Sequence, residues 1–230
     1  MKIEILASGS SGNVTAVRAE KFFLIDCGKP YQWTMNRLNG ELPDAILITH
    51  ENGDHAKAAG IFLSRQVDMY MTAGTAKALG ITPQCNLKTI EEGKAFKIGD
   101  VLITPIESVH DAAEPVNFIL EDDEDRVLFV TDTGATPEVS GDFTKIFIEA
   151  NYSMQGLMWS DTAYPLKNRI SLNHLSIESA EKFLAKYPNA EKTLLHISKR
   201  HGNEGKFYER IHTRKNPPKS EIGTRLESTV

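Results

Sequence analysis

The chain has 230 residues, 40% apolar and 25% charged, with a formal net charge of −5. That balance excludes a disordered or fibrous polypeptide and an indiscriminately basic nucleic-acid coat, and suits one soluble domain at the upper end of ordinary size or a tight pair. No apolar run approaches the ~18 residues of a membrane span, Met1-Lys2-Ile3-Glu4-Ile5-Leu6 carries no secretion pattern, and Cys27 and Cys85 read as buried thiols of a reducing compartment, so a cytoplasmic protein is expected.

Taken in chain order, Ser8-Gly9-Ser10-Ser11-Gly12-Asn13 reads as a tight glycine turn between two strands. It lacks the Gly-Lys-Ser/Thr ending of a phosphate loop. Phe22-Phe23-Leu24-Ile25 is a strand that ends on Asp26, and Tyr31 to Leu38 is a helix. Ala45-Ile46-Leu47-Ile48 is a second strand, followed by Thr49-His50. Helices are expected over Ala56 to Arg65 and Thr72 to Leu79, then a strand from Val101 to Pro105 leads to His110. Asp122-Asp123-Glu124-Asp125 reads as an acidic hairpin turn. Val127-Leu128-Phe129-Val130 runs into Thr131-Asp132, Ile146-Phe147-Ile148 into Glu149, and Lys192 to Leu195 into His196. Between the last two, Ile177 to Lys186 is a helix capped by Ser176 and stopped before Pro188. From about Gly202 the pattern dissolves, and Asn216-Pro217-Pro218 breaks any helix. The expectation is a domain over 1–205 and a tail over 206–230, mobile or docked on the domain.

The apolar runs are too short for helices and rich in β-branched or aromatic residues, as in strands buried on both faces. Their polar ends carry the functional signal. His50, Asp54 and His55 place three potential metal ligands within six residues. On a loop alone, polar surface explains them as well as metal binding does. His110, Asp132 and His196, each just after a separate strand, tip the balance, because a sheet that gathers its strand tips at one edge brings such groups together.

These residues resemble a known family. His50-Glu51-Asn52-Gly53-Asp54-His55 is similar to the His-x-His-x-Asp-His motif of the metallo-β-lactamase superfamily, and Leu24-Ile25-Asp26-Cys27-Gly28 to the motif before it. His110, Asp132 and His196 fall where the third, fourth and fifth motifs belong. Leu6 to Asn13, Ser108 to Pro115, Thr131 to Gly134, Glu149-Ala150-Asn151 and Asn173-His174-Leu175-Ser176 narrow the resemblance to the WalJ/YycJ-like proteins, cytoplasmic nucleases related to the tRNase Z group. The resemblance spans roughly 1–205. It implies an α/β (α+β) fold, a four-layer αββα sandwich, with one or two divalent ions, Zn or Mn foremost, in a groove at the sheet edges. The first ion would take His50, residue 52 and His110, the second Asp54, His55 and His196, with Asp132 bridging. Asp26 would support an imidazole of the metal loop rather than bind metal.

Position 52 departs from the pattern: Asn stands where the motif has His. An amide oxygen is a weak, hard donor that favours Mn or Mg over Zn. The second site is therefore expected to be the tighter, the first weak, filled only with substrate, or lost with activity. His174 matches a non-ligand histidine that protonates a leaving oxygen in tRNase Z-like enzymes, with Glu149 orienting it, so His174, Glu149 and Asp54 form the expected catalytic set. The plain alternative for His174 is packing near a helix N-terminus.

Lys199, Arg200 and His201 follow the last proposed ligand and read equally as phosphate contacts or a solvated loop. Residues 190–230 hold nine Lys or Arg against five acids, a basic end that could steer a polyanion. Trp33 and Trp159 are expected in the core or a lid rather than as base-stacking platforms, and His212 has no expected role. The 41 residues between Asp132 and His174 leave no room for a nuclease accessory domain such as β-CASP. The leading expectation is a metal-dependent phosphodiesterase or nuclease that turns a metal-activated hydroxide on a nucleic acid or nucleotide. The alternatives are a cyclic-nucleotide phosphodiesterase, a thioester or lactone hydrolase, or a degenerate metal-binding regulator.

Overall fold

The computed structural model describes residues 1–213. The first half opens with an antiparallel meander, β1 (Lys2–Ala7), β2 (Val14–Arg18) and β3 (Phe22–Ile25). It continues through α1 (Tyr31–Arg37), β4 (Ala45–Leu47), α2 (Gly53–Ala56), α3 (Ala59–Ser64), β5 (Asp68–Thr72), α4 (Ala73–Ala78) and β6 (Leu87–Ile90). Here β3 to β6 pair in parallel, giving a sheet in simple chain order.

The second half repeats the plan. An antiparallel run, β7 (Phe96–Ile98), β8 (Val101–Glu107), β9 (Val116–Glu121) and β10 (Arg126–Val130), is followed by parallel β11 (Lys145–Glu149) and β12 (Glu191–Leu195). Between β11 and β12 lie α5 (Met154–Met158), α6 (Tyr164–Asn173) and α7 (Ile177–Leu184), and α8 (Glu204–Thr213) follows β12. This six-stranded sheet runs β12-β11-β10-β9-β8-β7.

Alternation along the strands explains the layers. Phe23, Ile25, Ala45 and Leu47 of the first sheet meet Val127, Phe129 and Phe147 of the second in one central core. The intervening Leu24 and Ile46 pack outward under α1 and α3, while Leu128, Ile146 and Ile148 pack outward under α7 and α8. Each apolar run is buried on both faces because each sheet is covered on both faces. The result is the αββα sandwich, and the acidic hairpin Asp122–Asp125 turns between β9 and β10.

Four expectations need correction. The helix over Ala56 to Arg65 is two, because the Cys27 backbone cuts across its start: Cys27 N donates to His55 O at 2.7 Å and Ala58 N to Cys27 O at 3.0 Å, so the ladder breaks there. Cys27 is buried, and burial pushes its thiol up, but Cys85 is exposed in the loop before β6. Residues beyond Gly202 do form a helix, α8. Packing makes it: Phe207 is buried against the outer core, and Arg210 reaches Glu181 at 2.7 Å and Glu178 at 3.1 Å. Trp159 is in no core: it is 83% exposed at the end of α5, whereas Trp33 is partly buried against the first outer core. The Asn216-Pro217-Pro218 break lies outside the described residues.

Candidate metal centre and hydrolytic site

The tips of β3, β4, β10, β11 and β12 carry Asp26, Thr49-His50, Asp132, Glu149 and His196. Two of these residues turn the chain sharply: Asp26 (φ 62°) and His196 (φ 49°) hold left-handed backbone, a conformation that non-glycine residues keep only where surroundings enforce it. The surroundings are plain at Asp26. Its buried carboxylate accepts Thr49 N (2.9 Å), Thr49 Oγ1 (3.0 Å) and His55 Nδ1 (2.7 Å). Gly28 lets the neighbouring chains close: a Cβ there would lie 1.7 Å from Asp54 O and 2.8 Å from Asn13 N.

Each imidazole proposed as a ligand is held through Nδ1. His50 Nδ1 donates to Thr49 Oγ1 (3.0 Å), itself committed to Asp26; His55 Nδ1 donates to Asp26; His110 Nδ1 donates to Asn173 O (2.9 Å); His196 Nδ1 donates to Glu149 Oε1 (3.0 Å). This turns the four Nε2 atoms into the cluster, where side-chain amides meet those of His55 (Asn13, 2.9 Å) and His110 (Asn52, 3.2 Å). Those of His50 and His196 are buried with no hydrogen-bond partner, a cost of roughly 1–3 kcal/mol each if nothing fills them.

The acids complete the cluster. Asp132 Oδ1 lies 3.4 Å from His55 Nε2 and 3.3 Å from His196 Nδ1, and its Oδ2 lies 4.0 Å from His110 Nε2. Asp54 Oδ2 is 3.5 Å from His196 Nε2 and 3.8 Å from His55 Nε2. Ligand atoms of Asp54, His55, Asp132 and His196 all fall within 4.8 Å of one another, and so do those of His50, His110 and Asp132. Despite burial, which disfavours charge, Asp132 and Asp26 hold the His55 imidazolium well above its usual range. Burial likewise opposes His196, yet Asp132, Asp54 and Glu149 push it up to about 10. Burial alone would raise Asp132, but His196 and His55 hold it well below the usual carboxylate range. Burial keeps His50 neutral, with help from His55. Buried acids that draw protons onto these rings would be served as well by a cation. The donor set fits a divalent metal.

A model of the β-lactamase superfamily domain matches residues 22–197. The chain belongs to this superfamily. It is 32% identical over 220 residues to the exodeoxyribonuclease WalJ of Streptococcus pneumoniae, with 86% of this chain and 82% of that protein covered. It is 28% identical over 204 residues to the exodeoxyribonuclease YycJ of Bacillus anthracis, covering 80% and 76%. Among solved structures, the metallo-β-lactamase fold protein YhfI from Bacillus subtilis aligns with a TM-score of 0.72 at 16% identity, covering 92% of each chain. The chain is thus a metallo-β-lactamase-fold, metal-dependent hydrolase.

Within that fold, Glu149 serves two rings. Its Oε1 accepts His174 Nδ1 at 2.7 Å as well as His196, while Oε2 accepts Thr133 N (3.1 Å) and Leu175 N (3.0 Å). Burial works against the His174 imidazolium, but Glu149 raises it above its ordinary value. The ring sits 5.3 Å from His110 and 5.4 Å from His196, centroid to centroid. It borders a cleft of about 170 Å³ shared with Asn52, Asp54, Asp132 and, from α6, Leu166, Arg169 and Ile170. Asn52 precedes α2 without capping it; its Nδ2 lies 3.2 Å from His110 Nε2. Turning the amide over would set Oδ1 beside His110 Nε2, two acceptors that only a shared cation would reconcile.

Arg200 stands apart from this cleft, 57% exposed and paired with Asp161 at 2.6 Å, and Lys199 is also exposed. His201 is buried against Thr162 (2.8 Å). Asp111 pairs with Arg169, and Glu114 accepts Gly74 N. Three further contributors come into view with the fold. Asn13 Nδ2 reaches His55 Nε2 (2.9 Å) and Asp54 O (3.2 Å); Asn151 Nδ2 donates to His196 O (3.0 Å); and α6 walls the cleft. Only Pro165 at the start of α6 could have announced that helix.

Proposed function

We propose that this hydrolase cleaves DNA phosphodiesters, with His174 protonating the leaving oxygen. The observation that carries the reading is the Glu149–His174 pair, 2.7 Å apart, at the rim of the acid and imidazole cluster. A histidine held through Nδ1 by a buried carboxylate keeps Nε2–H for a departing alkoxide. That service matters for phosphodiesters, whose leaving groups are poor. The names of the two relatives support DNA as the substrate.

Two cation positions follow from the clusters. Asp54, His55 and His196 with Asp132 would hold the tighter, and His50, His110 and Asn52 with Asp132 the weaker. Imidazoles mixed with carboxylates suit Zn or Mn, and the amide of Asn52 tilts the weaker position towards Mn. Divalent cations there would supply Lewis acidity at phosphate and make water nucleophilic at neutral pH. Asp26 fixes the His55 ring, and Glu149 orients His174 and His196 together, so one carboxylate links the metal cluster to proton delivery.

The test compares two leaving groups. His174→Ala should slow hydrolysis of a DNA oligonucleotide by about 10²–10⁴-fold and slow bis-p-nitrophenyl phosphate, whose nitrophenolate leaves unaided, far less. Equal losses on both substrates would remove His174 from proton delivery. Absence of DNA cleavage with every divalent metal would remove the substrate.

A further inference from the structure

Resting on the DNA reading above, we propose that the arm formed by α5, Trp159 and α6, with the cavity behind it, is where the substrate strand is gripped away from the scissile phosphate. Trp159 and Tyr164 would stack unpaired bases there, and Lys206 would meet the backbone.

Exposed apolar side chains cluster on this arm. Met154, Met158, Trp159, Tyr164, Leu166 and Leu172 are all between 43% and 83% exposed, and all fall within 19 consecutive residues. Trp159 and Tyr164, at 83% and 80%, are its most exposed members. Helix α6 buries none of its own residues. Large apolar groups exposed this densely along one segment mark a surface that something covers.

The surroundings say what kind of partner. A cavity of about 570 Å³ lies between α5 and α8, of a size that takes a nucleotide. Trp159 forms part of its wall, together with Arg200, Lys206 and Arg210 against a single acid, Glu178. Arg210 is neutralised by Glu178 and Glu181, and Arg200 by Asp161. Lys206 is exposed, with no side-chain partner among the described residues. With both arginines matched, Lys206 is the cation that this wall leaves free beside the exposed Trp159. An aromatic face next to a free cation is the combination that holds single strands without reading sequence.

The segment also runs from the cavity to the site. Leu166, Arg169 and Ile170 of α6 line the metal cleft, while Trp159, five residues before α6, lines the cavity. Arg200 follows His196 by only four residues, which limits the distance between their Cα atoms to about 14 Å, the span of a few nucleotides.

The experiment uses the full chain loaded with Mn and a phosphorothioate-linked oligo-dT, which resists cleavage. Trp159→Ala should weaken binding by about fivefold or more, as loss of one stacked base predicts, and Lys206→Glu should weaken it and flatten its salt dependence. In both variants the ratio of oligonucleotide to bis-p-nitrophenyl phosphate turnover should fall. Unaltered binding in Trp159→Ala, with wild-type protein binding the strand, overturns this inference alone. Turnover of both substrates falling in step would mean a structural defect and also overturns it. A wild-type chain that hydrolyses the small diester but neither binds nor cuts DNA overturns the functional reading, and this inference with it. Size-exclusion that shows a dimer dissociated by Trp159→Ala would assign the patch to a second copy instead.

Discussion

Replacing Asp26 by alanine removes one acceptor from three buried donors: Thr49 N–H, Thr49 Oγ1–H and His55 Nδ1–H. Thr49 Oγ1–H can turn to His50 Nδ1 at 3.0 Å once that ring moves its proton to Nε2, so two donors are left bare. At roughly 1–3 kcal/mol for each, the loss should be about 3–4 kcal/mol. That is a large part of the 5–15 kcal/mol typical of a domain and corresponds to a fall of about 1–2 M in the urea midpoint. Asp26→Asn separates stability from ligation. The amide oxygen can keep Thr49, but its NH₂ then faces His55 Nδ1 and drives the ring to the Nε2–H tautomer, so Nε2 can no longer give up its proton to a cation beside Asp54 and Asp132. The asparagine variant should unfold closer to wild type yet bind Mn or Zn about 10–100-fold more weakly, measured by urea titration with and without chelator and by calorimetric metal titration. An asparagine variant with wild-type metal affinity, or an alanine variant whose midpoint moves by less than about 0.5 M, would refute the reasoning.

Asn52→His should raise the metal content after dialysis from about one ion per chain towards two, read by elemental analysis, since an imidazole replaces a weak amide donor; unchanged content would dissociate position 52 from the weaker site. Gly134→Ala should displace α6 from the cleft, because its Cβ would lie 1.9 Å from Leu172 O. It is expected to cost about 1–3 kcal/mol and to depress turnover; a wild-type melting temperature and rate would show that the contact relaxes freely. Lys145 and the Met1 ammonium beside Asp125 outweigh the burial that would raise its carboxyl and lower it to about 2. With the folded value below the unfolded one, the stabilisation is complete above about pH 4 and is lost as pH falls towards 2. After allowance for solvent screening it amounts to about 1 kcal/mol. Asp125→Asn should therefore lower stability at pH 7 but not at pH 2, followed by urea unfolding at both; an equal loss at the two pH values would contradict the electrostatic origin.

The local chemistry of this chain was readable because it repeats along the backbone. Phe22–Ile25 and Val127–Val130 alternate between two cores, so each had to be a strand covered on both sides, and the polar residue that ends each run had to leave the sheet at its edge. Ser176 caps α7 by accepting Ser179 N, as its position before an apolar helix face dictates. The motif around His50 to His55, with its Asn52, was likewise present in linear order. Contacts between distant segments were not readable in this way. Nothing local to Glu149 shows that it holds both His174 and His196, because the second bond exists only once β11 and β12 pair in parallel, Glu149 opposite Leu195. The split between α2 and α3 depends on Cys27, thirty residues earlier, donating and accepting across the gap. Helix α8 exists because Phe207 finds a core and Arg210 finds two acids on α7. Trp159 could be placed outside the core only by the fold, since its own neighbours suit burial equally well. Periodicity specifies which face of an element is apolar; which other element covers that face, and which side chains are left exposed beside the cleft, is a property of the packed molecule.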